Sequence, residues 1–245
     1  MGYPAPAPPA PKRRWWAAWL SAIAAFALKF KLLFSLLSVL ASVFVYGWAF
    51  GFPFAIGFVA ILAIHELGHV AALRMKGLPA PPPVFIPFLG AAIFLSRNPA
   101  SAADEAFVAG GGPVAGWLAS AAATALFLGT GNPLFGTIAY IGFFLQAFNL
   151  VPISPLDGGR MVAAVDRRLW WVGLPILAAV VLVTQSFFAV LIGIIIVVEF
   201  LARLRAPVDP RYYQVAPRDR ILALVIWLML LILSLAGMVM LQGVA

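Results

Sequence analysis

Cysteine is absent from this 245-residue chain, which excludes a disulfide framework, a thiolate metal site and a cysteine nucleophile together. Charge is scarce as well. Only 10% of the residues are Asp, Glu, Lys or Arg, where a soluble domain carries about a quarter. With two histidines and eight carboxylates in all, any site built on ionisable groups has few candidates. What stands in their place is apolar surface. Hydrophobic residues make up 64% of the chain, the mean hydropathy is +1.05, and several uncharged apolar runs reach about twenty residues, the length that crosses a bilayer. A single polytopic membrane domain is therefore expected. The net charge of +8 does not point to nucleic acid, because basic residues in a membrane chain mark cytoplasmic connections.

Residues 1–11 are a Pro/Ala-rich head with too little apolar content to pack, and disorder is expected there. Lys12, Arg13 and Arg14 follow, and Trp15, Trp16 and Trp19 are expected to anchor an interfacial turn, so that 1–27 is a disordered head followed by an interfacial basic/Trp segment. Residues 15–27 also resemble a signal-peptide core, but cleavage there would leave Lys29 and Lys31 opening a translocated segment. The membrane-embedded domain is placed at 28–245, with spans at 28–46, 54–73, 106–128, 134–151, 169–183, 186–204 and 221–241. The expected fold is thus all-α and polytopic, with about seven transmembrane helices. Between the second and third spans, four prolines in 79–83 preclude a regular helix. The stretch 84–95 is too short to span, so a small membrane-associated β segment is expected there. All sixteen basic residues then fall into connections on one face of the membrane, which predicts a cytoplasmic N-terminus and a C-terminus outside.

Intramembrane ionisable groups are expensive and mark function. The spans leave Glu66, Asp157 and Glu199 at membrane depth or its edge. Arg203 follows Glu199 by one helical turn, so those two are expected to pair. Glu66 has no such partner. It lies in His65-Glu66-Leu67-Gly68-His69, which contains both histidines of the chain. On a helix, residues four apart stand about 40° apart around the axis and about 6 Å along it, so two imidazoles reach one zinc ion. Glu66 projects from a neighbouring angle, where a carboxylate accepts a proton from the attacking water rather than ligating. A tetrahedral zinc still needs a third protein ligand, and Asp157 is the remaining carboxylate at that depth. Asp157 sits in Asn149-Leu-Val-Pro-Ile-Ser-Pro-Leu-Asp157-Gly-Gly, where Pro152 and Pro155 break the fourth span. A capping role in a loop is its other reading.

Together with Gly110-Gly-Gly-Pro-Val-Ala-Gly116 in the third span, these motifs resemble the site-2 protease family of intramembrane zinc metalloproteases. The likeness runs in the same order over about 54–168, the expected catalytic core, followed by accessory helices over 169–241. It implies one zinc per chain held by His65, His69 and Asp157, Glu66 as general base and acid, and Asn149 beside the site, positioning substrate or polarising its carbonyl. The implied partners are a transmembrane protein substrate and membrane lipids. Gly112 and Gly116 read as a small-x-x-x-small helix-packing face rather than as catalytic groups. The connection 129–133 is too short for a PDZ domain, and no CBS pair follows the last expected span. Two alternatives use the same residues: a divalent-metal transporter, and an inactive membrane scaffold.

Within 84–95, Pro87 and Gly90 suit an edge strand rather than the centre of a sheet. An unpaired edge at membrane depth needs a partner, and an unwound substrate helix supplies one by strand addition. Val84, Ile86, Ala91, Ala92 and Ile93 are the substrate-binding candidates on this basis. Proline at Ala92 or Ile93 is expected to lower cleavage sharply, and alanine at Ile93 only mildly.

Overall fold

The computed structural model, described here over residues 15–93, 99–207 and 209–244 with side chains from 29 onward, has eight α-helices and one small hairpin. The Pro/Ala-rich head, Lys12 to Arg14 and the end of the expected β segment at 94–95 lie outside the described residues. Helix α1 runs from Trp15 to Phe50 without interruption. The interfacial turn expected before the first span is therefore not a turn. The reason is local: no proline occurs between Trp15 and Phe50, glycine occurs there once, at Gly47, and Ala and Leu dominate the first half.

Helix α2 (Phe52–Met75) begins beside Pro53, after Gly51 turns the chain at φ 91°. It is followed by β1 (Val84–Ile86), β2 (Gly90–Ala92), α3 (Ala102–Thr130) and α4 (Pro133–Asn149). After α4 come α5 (Asp157–Ala163), α6 (Trp170–Thr184), α7 (Phe187–Arg205) and α8 (Pro217–Leu241). Six helical stretches are long and apolar enough to cross a membrane. The fourth expected span is present as α4 but has 17 residues, about 25 Å at 1.5 Å per residue, so the count of seven becomes six full spans and one shorter helix. Large apolar side chains such as Phe30 (61% exposed), Leu118 (58%) and Val183 (85%) face outward, as a lipid-facing surface requires. The chain is a multi-pass integral membrane protein.

Helix α3 packs against α2, α4 and α5, and α2 against α4, with α8 against α4 and α1 against α2. The break after α4 is buried: Leu150, Ile153 and Ser154 are each 0% exposed. Its backbone carbonyls are not left bare. Trp227 donates its indole N–H to the Leu150 carbonyl at 2.8 Å, and within the break the Val151 and Ile153 carbonyls accept the N–H groups of Ile153 and Leu156 at 2.8 and 3.0 Å, which is how irregular backbone survives at membrane depth.

The expected single edge strand is a hairpin, with Val84 paired to Ala92, Phe85 to Ala91 and Ile86 to Gly90. Pro87 and Phe88 (φ 65°) occupy the centre of a turn closed by Leu89 N–H to the Ile86 carbonyl at 3.1 Å, a type II geometry that ordinarily takes glycine at the second place. Phe88 is held there by Tyr46, whose hydroxyl accepts its N–H at 2.8 Å. Helix α1 fastens the same hairpin twice more, because the Phe85 N–H goes to Ser38 Oγ at 3.0 Å and the Ser35 hydroxyl to the Pro83 carbonyl at 2.6 Å. The outer edge of β1 is thus occupied by α1.

Candidate metal centre

Helix α2 carries His65 and His69 on one buried face, 2% and 7% exposed. Their Nε2 atoms lie 3.2 Å apart, and each is 3.2 Å from Asp157 Oδ2. Asp157 reaches them because the break after α4 starts the short helix α5 at that residue. The two following glycines let α5 sit against the break, since a Cβ at Gly158 or Gly159 would strike the backbone of Leu150 or of Ile153 and Ser154.

The other imidazole nitrogens decide what this triangle is. His65 Nδ1 is 2.7 Å from Gln146 Oε1, and His69 Nδ1 is 2.8 Å from the Val108 carbonyl. Both partners are acceptors. The Gln146 amide is oriented by its own nitrogen, which donates to the Gly142 carbonyl at 3.3 Å. A 3.3 Å approach of Gly112 N–H to His69 Nδ1 is the longer contact, so the Val108 carbonyl sets the tautomer. Each Nδ1 therefore carries the ring proton, and each Nε2 presents a lone pair. Three acceptors thus converge, and a proton on one nitrogen would serve one contact where a cation serves all three. Zinc bonds of about 2.0–2.1 Å at tetrahedral angles separate ligand atoms by about 3.3 Å, and the observed sides of the triangle are 3.2 Å. His65, His69 and Asp157 could hold one metal ion, and their donor chemistry fits zinc.

Gly112 supplies the space. A Cβ built there would overlap His69 Nε2 and lie 2.7 Å from His65 Nε2, while one at Gly116 would overlap the Gln146 amide. The glycine motif does more than the helix packing expected of it. Gly111 meets Gly68 across the α2–α3 contact, and Gly112 and Gly116 leave room for the imidazoles and for the amide that orients one of them.

Glu66 is buried at 7% exposure and forms no hydrogen bond or ion pair among the described residues, so its oxygens are uncommitted. Asn149 ends α4 with its amide donating to the Leu145 carbonyl at 2.9 Å. The amide that contacts a histidine is Gln146, which the sequence reading passed over. Its signal was available: a glutamine inside the apolar Phe143-Phe144-Leu145-Gln146-Ala147-Phe148 is an intramembrane polar group that needs a partner. Arg203 does not pair with Glu199 as expected. Glu199 is exposed, and Arg203 Nη1 lies 3.6 Å from Glu105 Oε1.

Residues 128–192 match the model of Peptidase family M50. That match bears out the resemblance to the site-2 protease family and, with six membrane-length helices, supports a membrane metalloprotease. It contains Asn149 and Asp157 but stops short of His65, Glu66 and His69. No curated protein matches the chain. Among solved structures the chain is similar to the Site-2 Protease from Methanocaldococcus jannaschii at 17% identity, over 70% of this chain and 88% of that one, with a TM-score of 0.48. A likeness that loose adds nothing to the site argument.

Proposed function

We propose that this chain is an intramembrane zinc metalloprotease of the peptidase family M50 type that hydrolyses peptide bonds within or near the transmembrane helices of other membrane proteins. The observation that carries this reading is the convergence of two imidazole lone pairs and one carboxylate oxygen beside an uncommitted buried carboxylate. His65, His69 and Asp157 would hold the ion, and when bound it supplies the Lewis acidity that makes water a nucleophile near neutral pH and polarises an amide carbonyl. Gln146 and the Val108 carbonyl keep the two imidazoles in the ligating tautomer. Glu66 accepts the proton of the attacking water and delivers it to the leaving amine nitrogen. Asn149 would act on the substrate by releasing the Leu145 carbonyl and turning its amide to the scissile carbonyl. A transporter would need polar groups along a path through both membrane halves, and the extracellular half of the expected spans offers essentially none.

A helical substrate buries its carbonyls in its own hydrogen bonds and must unwind to be cut. The hairpin offers it a template at β2. Phe85 gives its N–H to Ser38, away from β2, so alternation along the ladder turns its partner Ala91 outward on the far edge, as it does Ile93. No other strand pairs with β2 among the described residues. Ile93 packs with Ala72, Leu73 and Val108, and the Val108 carbonyl is the one that orients His69. Ala92, by the same alternation, faces Val84 inside the hairpin, so proline there would break the hairpin itself. Ala91 and Ile93 are the informative positions.

The test is cleavage of single-span proteins by purified chain in liposomes. Hydrolysis should stop with a zinc chelator and return with added zinc, and failure of wild-type protein to cut any such substrate under these conditions counts against the proposal. In the same assay Ala91→Pro or Ile93→Pro should lower cleavage sharply with zinc content unchanged, and Ile93→Ala should be mild. Full activity in the proline variants would remove strand addition and leave the metal site standing. The distribution of basic residues supports a site towards the cytoplasm, so a reporter in the 206–217 connection should be cytoplasmic and one after Ala245 outside. A cytoplasmic C-terminal reporter would overturn that orientation.

A further inference from the structure

The two oxygens of Asp157 have different neighbours. Oδ2 faces the histidines, while Oδ1 is 3.4 Å from Arg160 Nη1, one turn later on α5. Arg160 is itself held, its Nε 3.2 Å from Glu105 Oε1 in the first turn of α3. The other Glu105 oxygen accepts the Tyr212 hydroxyl at 2.5 Å, and Arg203 Nη1 approaches Oε1 at 3.6 Å. The side chains of Asp157, Glu105 and Arg160 are 8%, 14% and 18% exposed, well below the exposure at which an ion pair contributes almost nothing. A phenol is a donor at neutral pH, and burial and the neighbouring Glu105 carboxylate push that of Tyr212 still further above its ordinary range.

Tyr212 lies in a 3₁₀ turn, Pro210–Tyr213, in the connection between α7 and α8, outside the family-matched segment. One turn along α3 from Glu105 is Val108, whose carbonyl orients His69. Helix α3 therefore supports two of the three candidate ligands, and the connection after the accessory helices α6 and α7 supports α3's carboxylate. We infer that Arg160, Glu105 and Tyr212 are positioning residues for the metal, a relay from the α7–α8 connection that holds Asp157 with one oxygen turned to the ion. This rests on the metal-site reading above. The physical reason is twofold. A ligating carboxylate left free rotates, and its outer oxygen needs a donor. An arginine beside a divalent cation also repels it, and Glu105 offsets that charge. Tyr212 fixes Glu105 in turn. The relay gives the accessory helices a part in the site: they place the clamp.

The experiment is zinc affinity of the full chain in detergent, measured by competition with a chromogenic chelator, alongside thermal unfolding of the metal-free protein. Arg160→Ala and Glu105→Gln should each weaken zinc binding by about 10–100-fold, the usual effect of losing an outer-shell partner. Tyr212→Phe should weaken it less. The double variant Glu105→Gln/Arg160→Ala should bind no more weakly than Arg160→Ala alone, because both act through one contact. Arg160→Lys should recover part of the loss. If Arg160→Ala fails to fold, Tyr212→Phe, which removes a single oxygen, and Glu105→Gln carry the test. Unchanged zinc affinity with lowered metal-free stability would make the network a structural ion pair and overturn the inference, as would losses that simply add. Wild-type protein that binds no zinc would instead overturn the metal site, and the relay with it.

Discussion

Glu66→Gln is expected to keep about one zinc per chain while losing nearly all peptide hydrolysis. The reason is the division of labour in the buried triangle. His65, His69 and Asp157 provide three acceptor atoms 3.2 Å apart, enough to hold a zinc with its fourth position open. Glu66 makes no ion pair or hydrogen bond among the described residues and is not needed to retain the ion. An amide in its place cannot take a proton from water or return one to a leaving amine, and loss of such a group lowers rates by about 10²–10⁴-fold. His65→Ala, His69→Ala and Asp157→Ala should lose both metal and activity. Zinc content by elemental analysis, paired with cleavage in liposomes, separates the two classes. Asp157→Ala protein holding zinc as tightly as wild type would show that the third ligand lies elsewhere, and zinc loss in Glu66→Gln would make Glu66 a ligand rather than a base.

Gly112→Ala should be as damaging to zinc binding as removal of a histidine, although it adds one methyl group. On helix propensity alone the change is favourable by about 1 kcal/mol. At this position, however, the methyl overlaps His69 Nε2 and sits 2.7 Å from His65 Nε2. The imidazoles are the far ends of side chains and can swing away, so the protein should still fold. In swinging they leave the ligating geometry and their Nδ1 partners. The control is Gly129→Ala near the end of the same helix, where an added Cβ meets nothing within 4 Å. That variant should keep wild-type zinc and activity. A Gly112→Ala protein with normal zinc content would mean that the imidazoles do not face the space this glycine leaves.

How much of this was legible in the sequence divides along one physical line. Properties set by nearest neighbours along the chain could be read directly. Apolar runs of bilayer length specified the spans, the four-residue spacing of His65 and His69 put both on one helix face, and two prolines marked the break that presents Asp157. The scarcity of ionisable groups made even the long-range partnering of Asp157 with the histidines readable, because few alternatives existed. Where candidates were plentiful or pairing was through space, the sequence was silent or misleading. Arg203 had a carboxylate one turn away in Glu199, yet it lies beside Glu105, whose side chain is 14% exposed with two other donors on it, while Glu199 stays exposed. The stretch 84–95 showed a strand-forming composition, but only the approach of α1 through Ser35, Ser38 and Tyr46 decided that its first strand is covered and its second left open. The tautomers of the two histidines were likewise undecidable from spacing. They depend on Gln146 and on one backbone carbonyl of α3, groups that meet α2 only once the helices pack, and it is that packing which turns two imidazoles and a carboxylate into three lone pairs aimed at one point.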